Sequence, residues 1–357
     1  MKSLIVDVSP IFYRFIFGST KYMSEKLKLE KDENGCFDLD QYEDIYVFQF
    51  LDYISNFKNR FGVDEVILAM DSKPYWRTKH WSGYKYGRMK NDKTGVDWGK
   101  QKIVQKKLTK FLEESTSFKT LLLPEIEGDD ILFVLSKELS ERGHEVIVKS
   151  LDHDILYCLD YPNVKYWQTK HNTPNKNCGF VNPSKKEIDE LKYDHCFYGD
   201  KGDYILSVTA YTEFSDEFKV EYKDQIKSGK ITPLKVWEKR HEIDVGFKNK
   251  YKDKYPELFE KHKLSAWKQP RFGKTSFEKK MLKESFNEKE FLKKNPIYEK
   301  NFELNTKIAM PEEIPDEIRE TIIHNYDNSN TERDMGKLSE FFMSYGLMKL
   351  IGKMGMF

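Results

Sequence analysis

The sequence predicts an α/β fold, a mostly parallel central sheet flanked by helices and followed by a smaller helical C-terminal region. Three observations predict it. Short aliphatic runs of the kind that buried parallel strands require recur through the first half of the chain. Stretches with apolar residues at helical spacing separate them. The runs are followed by carboxylates, and open α/β sheets gather their functional groups at the carboxyl ends of their strands.

In chain order, Leu4-Ile5-Val6 leads to Asp7, a helical stripe covers 42–57, and Val66-Ile67-Leu68-Ala69-Met70 leads to Asp71. An amphipathic stretch at 104–112 precedes Leu121-Leu122-Leu123, which runs on to Glu127, Asp129 and Asp130. Another helical stripe at 131–139 precedes Val146-Ile147-Val148, after which come Asp152 and Asp154. This alternation of strand and helix predicts parallel pairing through right-handed crossovers. Residues 173–177 read as a turn joining a hairpin, and the Phe197-Tyr198-Gly199 turn delivers Asp200 and Asp203. After Pro315, the spacing of Ile318, Ile322 and Ile323 predicts a helix, and 336–350 predicts a last one, amphipathic and packed on the body. No internal repeat is evident.

Nine carboxylates thus follow five apolar stretches. If the first four runs are parallel neighbours, their acids converge on one rim, where they repel one another unless a cation sits among them. Each acid alone is equally well read as a helix cap, and Asp129, Asp152 and Asp200 all stand where helices can begin. Their recurrence after each strand, as D-x-D and E-x-D-D groups, favours ligands. Glu127 and Asp130, three apart, share one face of a helix started there. Carboxylate oxygens without accompanying Cys or His sets favour Mg²⁺ or Mn²⁺. Two such ions, about 3.5 to 4 Å apart, activate water and stabilise the leaving oxygen in phosphodiester hydrolysis, so a nuclease is the leading reading.

Length and composition bound the rest. The 357 residues, 39% hydrophobic, suffice for one large domain or two small ones. No apolar run approaches the roughly 20 residues needed to cross a bilayer, and the N-terminus reads as a strand rather than a signal, so a cytoplasmic protein is expected. Four cysteines without C-x-x-C spacing exclude a disulfide scaffold, and His171, Cys178, His195 and Cys196 are irregularly spaced for zinc.

A net charge of +1 conceals a strong asymmetry. Residues 72–110 carry +10 and residues 219–300 another +10, which leaves −19 for the remainder, where the acids lie. An acidic centre flanked by basic segments suits a nucleic-acid enzyme. In the first segment Arg77, Lys79, Lys85 and Arg88 alternate with Tyr75, Trp76, Trp81, Tyr84 and Tyr86, a mixture suited to stacking unpaired bases and holding phosphates. A solvated loop is the competing reading, but a loop leaving the rim directly after Asp71 can lower cations onto a scissile phosphate. The second segment, with Trp237, Phe247, Tyr251, Trp267, Phe272 and Phe291, reads as a helical region that grips phosphates without reading sequence, or as a solvated insertion.

Taken in order, Ile5-Val6-Asp7, Met70-Asp71, Tyr75-Trp76-Arg77, Tyr84-Lys85 with Arg88, Glu127-Gly128-Asp129-Asp130-Ile131, Ser150-Leu151-Asp152-His153-Asp154 and Tyr198-Gly199-Asp200-Lys201-Gly202-Asp203 resemble the phage-type 5′ nucleases of the flap endonuclease superfamily. The resemblance covers about the first 208 residues. It implies a PIN/5′ nuclease-like core at 1–208, an arch or bridge at about 72–98, and a basic helical region at 209–357 for duplex binding and partner docking. It also implies a metal-dependent 5′ to 3′ nuclease with ribonuclease H activity, acting on RNA–DNA hybrids and on duplex or flap DNA to remove RNA primers and 5′ flaps during replication. By the same resemblance, Asp7, Asp71, Glu127, Asp129, Asp130 and Asp152 surround a first Mg²⁺, and Asp154, Asp200 and Asp203 hold a second, with Mn²⁺ able to substitute. Asp71 and Asp129 are catalytic, Lys85 and Arg88 grip the scissile phosphate, and Arg77, Lys79 and Tyr84 contact nucleic acid. A monomer is implied, with a single-strand-binding protein or a sliding clamp as partners, docked by the C-terminal tail.

Two departures stand out. Tyr204-Ile205-Leu206-Ser207-Val208 follows Asp203 where relatives continue into a glycine-rich hairpin that binds duplex and sometimes K⁺, and Gly128 stands where alanine is usual. Two other functions compete. A haloacid-dehalogenase-type phosphatase needs an Asp two residues after its nucleophile, and here Ser9 occupies that place. A noncatalytic flap- or fork-binding protein would be expected to have lost some acids, yet all nine are present.

Overall fold

The computed structural model describes residues 1–38, 42–81, 83–85, 95–152, 154–168, 179–200, 202–205, 207–208, 224, 292–293 and 296–357. The chain divides into two units. One comprises Met1–Tyr75, Lys93–Ile188 and Ile314–Phe357, the other Trp76–Asp92 and Asp189–Glu313.

The first unit is built on six strands, β1 (Lys2–Asp7), β2 (Glu65–Met70), β3 (Lys119–Leu122), β4 (Glu145–Ser150), β5 (Val164–Gln168) and β6 (Gly179–Val181), in the order β3-β2-β1-β4-β5-β6. All pairings are parallel except β5 with β6. β1, β2 and β4 are buried from their second residue onward, which is why they read as continuous aliphatic runs rather than as alternating ones. Leu4, Val6, Leu68 and Met70 share a core with helices α1 (Val8–Tyr22), α2 (Glu43–Phe61) and α3 (Trp98–Ser115), where Phe12 meets Tyr46 and Phe50 edge to face. The intervening positions Ile5, Ile67 and Val148 point the other way, and α4 (Gly128–Glu141) packs on β1, β2 and β4.

At the amino edge of the sheet Glu65 accepts hydrogen bonds from Ser3 Oγ (2.6 Å) and Tyr326 Oη (2.8 Å). It also pairs with Lys119 at 3.4 Å, whose ammonium lies 3.6 Å from the centre of the Tyr326 ring. These contacts dock the C-terminal helix Asp316–Asp327 onto β3 and α4.

In the second unit two buried asparagines tie α6 (Pro296–Ala309) to α5 (Lys185–Tyr198), from Asp189 onward, and to the chain beyond it. Asn305 Nδ2 donates to the Cys196 carbonyl and Asn301 Nδ2 to that of Val208. Phe197, Val208 and Leu292 form the small apolar centre beside them.

Two expectations change. The expected boundary at 208 does not follow the packing, because residues 314–357 belong to the sheet unit. α7 (Asp316–Asp327) covers α4 and β3, and α8 (Met335–Ser344) lies on α3 with Phe341 stacked on Phe111 at 3.6 Å. The single helix expected over 336–350 is broken into α8 and α9 (Met348–Ile351). Gly346, at φ 65°, takes the left-handed turn, while its N–H and that of Leu347 reach back to Met343 and Phe342, a Schellman closure. Apolar spacing alone carries no sign of it. The amphipathic tail does pack inward, with Leu338, Phe342, Leu347, Leu350 and Phe357 buried in the main core. The turn at 173–177 and nearly all of the basic segment 219–300 lie outside the described residues.

Candidate functional site

Four parallel strands place their carboxyl ends at one edge of the sheet, in the order β3, β2, β1, β4. Seven of the predicted acids belong to this unit: Asp7, Asp71, Glu127, Asp129, Asp130, Asp152 and Asp154. Asp7 closes β1 and Asp71 follows β2 directly. Glu127 caps α4, with Asp129 and Asp130 in its first turn. Asp152 follows β4, and Asp154 opens a short 3₁₀ helix, Asp154–Asp160.

Each acid is fixed by its local structure. Asp7, 3% exposed, accepts a hydrogen bond from Ser150 Oγ at 2.6 Å. Asp71 Oδ1 accepts from the Gly128 N–H at 2.8 Å. Asp130 is fully buried and accepts from the Glu127 N–H at 3.1 Å, while Asp129 is only half-buried. Asp152 Oδ1 accepts from the Asp154 N–H at 3.2 Å, and the Asp152 carbonyl accepts from Tyr166 Oη at 2.9 Å. The capping reading therefore holds for Glu127 rather than for Asp129, and Asp152 holds the turn into the 3₁₀ helix.

Gly128 opens the space between two of these groups. A Cβ built there would lie 3.3 Å from Asp7 Oδ1 and 3.4 Å from Asp71 Oδ1, so both carboxylates face the same methyl-sized gap. Two tyrosines register the local negative charge. The Tyr166 hydroxyl is pushed well above its usual range by burial and then by Asp152 and Asp7, and Tyr13 is raised by burial and by Asp71. Neither phenol was predicted from the sequence, nor was Ser150 given a role. The pairing register reveals Ser150 and Tyr166, and the packing of α1 reveals Tyr13.

The oxygen donors and the Gly128 gap fit a hard divalent cation in chemistry and in room. Among the described residues, however, no three His, Cys, Asp or Glu side chains already form a group able to hold one. The hydrogen bonds described for Asp7, Asp71 and Asp152 come from a serine hydroxyl and backbone N–H groups.

The remaining predicted residues belong to the second unit. Asp200 is woven into its own loop, accepting from the N–H groups of Gly202 (2.9 Å) and Asp203 (3.1 Å). Asp203 pairs with Lys85 at 3.5 Å and accepts from Tyr84 Oη at 3.2 Å. The Lys85 N–H also donates to the Asp203 carbonyl, and Lys85 adopts a left-handed φ of 53°. The start of the bridge is thereby clamped onto the G-D-x-x-D turn.

Two nucleic-acid contacts need correction. Arg77 is 4% exposed, with Nε donating to the Ile308 carbonyl at 2.7 Å and its guanidinium over the Trp76 ring, so it braces its own unit instead of facing a phosphate. Tyr84, 6% exposed, and the buried Trp76 are likewise not offered for base stacking, because the aromatic residues of this stretch supply the apolar packing that the short 3₁₀ turn Trp76–Lys79 lacks. Lys79 is exposed. Arg88 lies outside the described residues, as do His171 and Cys178 of the irregular zinc set. No helix among the described residues is long and apolar enough to cross a membrane.

Residues 2–187 match the family model described as the N-terminal resolvase-like domain of 5′-3′ exonucleases. The chain is 28% identical over 156 residues to a ribonuclease H of Enterobacteria phage T4, an alignment covering 43% of this chain and 49% of that protein. The chain thus matches about half the length of this curated relative. Among solved structures it is similar to a T5 5′-exonuclease with zinc ions bound, at 13% identity and a TM-score of 0.46 over 93% of this chain and 100% of that one. It is also similar to a bacteriophage T5 flap endonuclease in a pseudo-enzyme–product complex with DNA and metal ions, at 14% identity and a TM-score of 0.44 over 92% and 100%.

Proposed function

Because the chain belongs to the 5′-3′ exonuclease family through its N-terminal resolvase-like domain, we propose that it is a divalent-metal-dependent 5′ to 3′ nuclease. Its proposed substrates are RNA–DNA hybrids and 5′-flapped or duplex DNA, and its proposed role is the removal of primers and flaps during replication. The observation that carries this reading is the alignment of four parallel strand ends, each delivering carboxylates to one edge. Asp7, Asp71, Glu127, Asp129, Asp130 and Asp152 would hold a first Mg²⁺ or Mn²⁺ and Asp154, Asp200 and Asp203 a second. Such ions, when bound, lower the pKa of an attacking water and stabilise the departing oxyanion.

The protein's own side chains do the rest. Asp71 and Asp129, half-buried like Asp152, would present oxygens toward the reaction centre, while the buried Asp7, Glu127 and Asp130 set the charge that attracts cations. Lys85 is already a partner of Asp203, so engaging a scissile phosphate means sharing or leaving that carboxylate, whose charge must then be met by another cation. Arg88 is proposed to share that phosphate, and Lys79 to hold the strand beyond it. A single-strand-binding protein or a sliding clamp remains the proposed kind of replication partner.

The test is cleavage of 5′-labelled flap and RNA–DNA substrates with Mg²⁺, with Mn²⁺ and with EDTA, resolving product lengths. Metal-dependent cuts at the flap junction or short 5′ products are expected. Tight flap binding without metal-dependent product would instead make the chain a fork-binding protein. In the same assay Lys85→Ala is expected to lower the single-turnover rate by about 10- to 100-fold with a smaller change in substrate Kd, since its contact is aimed at charge that grows in the transition state.

A further inference from the structure

The parallel register sets Val6 beside Lys149, so the next residues, Asp7 and Ser150, lie level at the ends of adjacent strands. Ser150 is fully buried. Its Oγ donates to Asp7 Oδ2 at 2.6 Å and accepts from the Asp152 N–H at 3.0 Å. A hydroxyl has one proton and two lone pairs, and here the proton goes to one carboxylate while a lone pair orders the backbone that carries another. With Oδ2 anchored, Asp7 turns Oδ1 toward the gap at Gly128 that Asp71 also faces.

The segment carrying Ser150 is itself held in place. The Ser150 carbonyl accepts from Lys149 Nζ at 3.0 Å, and this ammonium, fully buried, also donates to the Trp167 carbonyl. Tyr166 Oη reaches the Asp152 carbonyl from β5. A buried ammonium on two carbonyl oxygens and a phenol on a third fix the exit of β4 in the plane of the sheet.

We propose that Ser150 is a positioning residue of the metal centre, using one hydroxyl to set the relative placement of Asp7 and Asp152 and thereby the affinity for the divalent ion. This inference rests on the metal-centre reading given above. Partners that orient ligating groups are worth about 10- to 100-fold in metal affinity.

The test is a Mn²⁺ binding isotherm on the full chain, with free Mn²⁺ counted by electron paramagnetic resonance, for the wild type, Ser150→Ala and Ser150→Thr, alongside metal-free melting temperatures. Ser150→Ala is expected to raise the Kd by about 10- to 100-fold, and Ser150→Thr, which keeps the hydroxyl, to stay within about threefold of wild type. The inference is overturned if Ser150→Ala binds Mn²⁺ as the wild type does, including the case in which it melts lower but binds unchanged, since the hydroxyl would then serve only the fold. It is also overturned if both variants lose affinity equally. A wild-type chain that binds no Mn²⁺ overturns the metal-centre reading itself, and this inference with it.

Discussion

The two edges of the one sheet both carry carboxylates, and they hold them in different ways. At the amino edge Glu65 sits against Lys119 and under the Tyr326 hydroxyl, and Glu145 pairs with Lys165 at 2.8 Å and Lys2 at 3.8 Å. At the carboxyl edge the hydrogen bonds described for Asp7, Asp71 and Asp152 come from neutral donors, a serine hydroxyl and backbone N–H groups. Neutral donors orient a carboxylate without cancelling its charge. Ammonium groups cancel it. The same functional group therefore serves cohesion at one end of the strands and, in the proposed reading, chemistry at the other.

Asp71→Asn tests that contrast most severely. It is expected to lower metal-dependent cleavage by more than about 100-fold, beyond the loss from an orienting partner, while the melting temperature stays level or rises because one like charge has left the rim. Single-turnover cleavage and thermal unfolding monitored by circular dichroism would check both halves. A variant that cleaves normally removes Asp71 from the centre.

The reciprocal change at the amino edge should do the reverse. Lys119→Ala strands Glu65 and removes the cation from the Tyr326 ring, at a cost of about 2–3 kcal/mol, less than for a wholly dry pair because some exposure remains. Denaturant unfolding should record that loss, and cleavage measured well below the new midpoint should be unchanged.

A smaller effect is expected from Gly128→Ala, which presses a methyl group on Asp7 and Asp71 at 3.3 and 3.4 Å. The half-saturating metal concentration for cleavage should rise by about 3- to 10-fold, while better helix propensity offsets any strain by up to about 1 kcal/mol. A metal titration of wild type and variant in parallel would show it.

The smallest effect is at Asp327, which Arg142 grips through both guanidinium nitrogens at 2.6 and 2.9 Å. That hydrogen bonding holds the Asp327 carboxyl below its ordinary 3.8. A depressed folded-state value means the stabilisation is complete above about 3.8 and fades as pH falls through the lower folded value. Asp327→Asn should thus cost no more than about 1 kcal/mol at neutral pH, because the pair is largely exposed. The difference from wild type should shrink in acid, as melting curves at neutral and strongly acidic pH would reveal.

Much of this was legible in the sequence because each step depends on local pattern. Aliphatic runs announce strands buried on both faces, as β1 and β2 are, and residues following a strand must emerge at its carboxyl edge whatever the tertiary details. Helical stripes at 104–112 and 131–139 fall inside α3 and α4, and the one at 42–57 falls inside α2 but for Tyr42, its N-cap. What escaped depends on pairing across the chain. Ser150 matters because β4 lies beside β1 in one register. Arg77 was misread because an arginine in a basic run looks solvated until Ile308, far along the chain, supplies its acceptor. The break at Gly346 needs a backbone angle, not a hydropathy pattern.

The sheet unit draws on three separate stretches of chain, and its last contribution, Ile314–Phe357, puts Leu338, Phe342 and Phe357 into the central core. During synthesis the strands emerge long before these residues do. At roughly 5–20 residues per second, the stretch between Ile188 and Ile314 takes on the order of 10 s to translate. For that interval the surface of α3 around Phe111 waits for Phe341 and Phe342. A nascent chain stalled or cut before Ile314 would therefore display an unfinished apolar face, and would become a client for chaperones and proteases rather than a shortened enzyme.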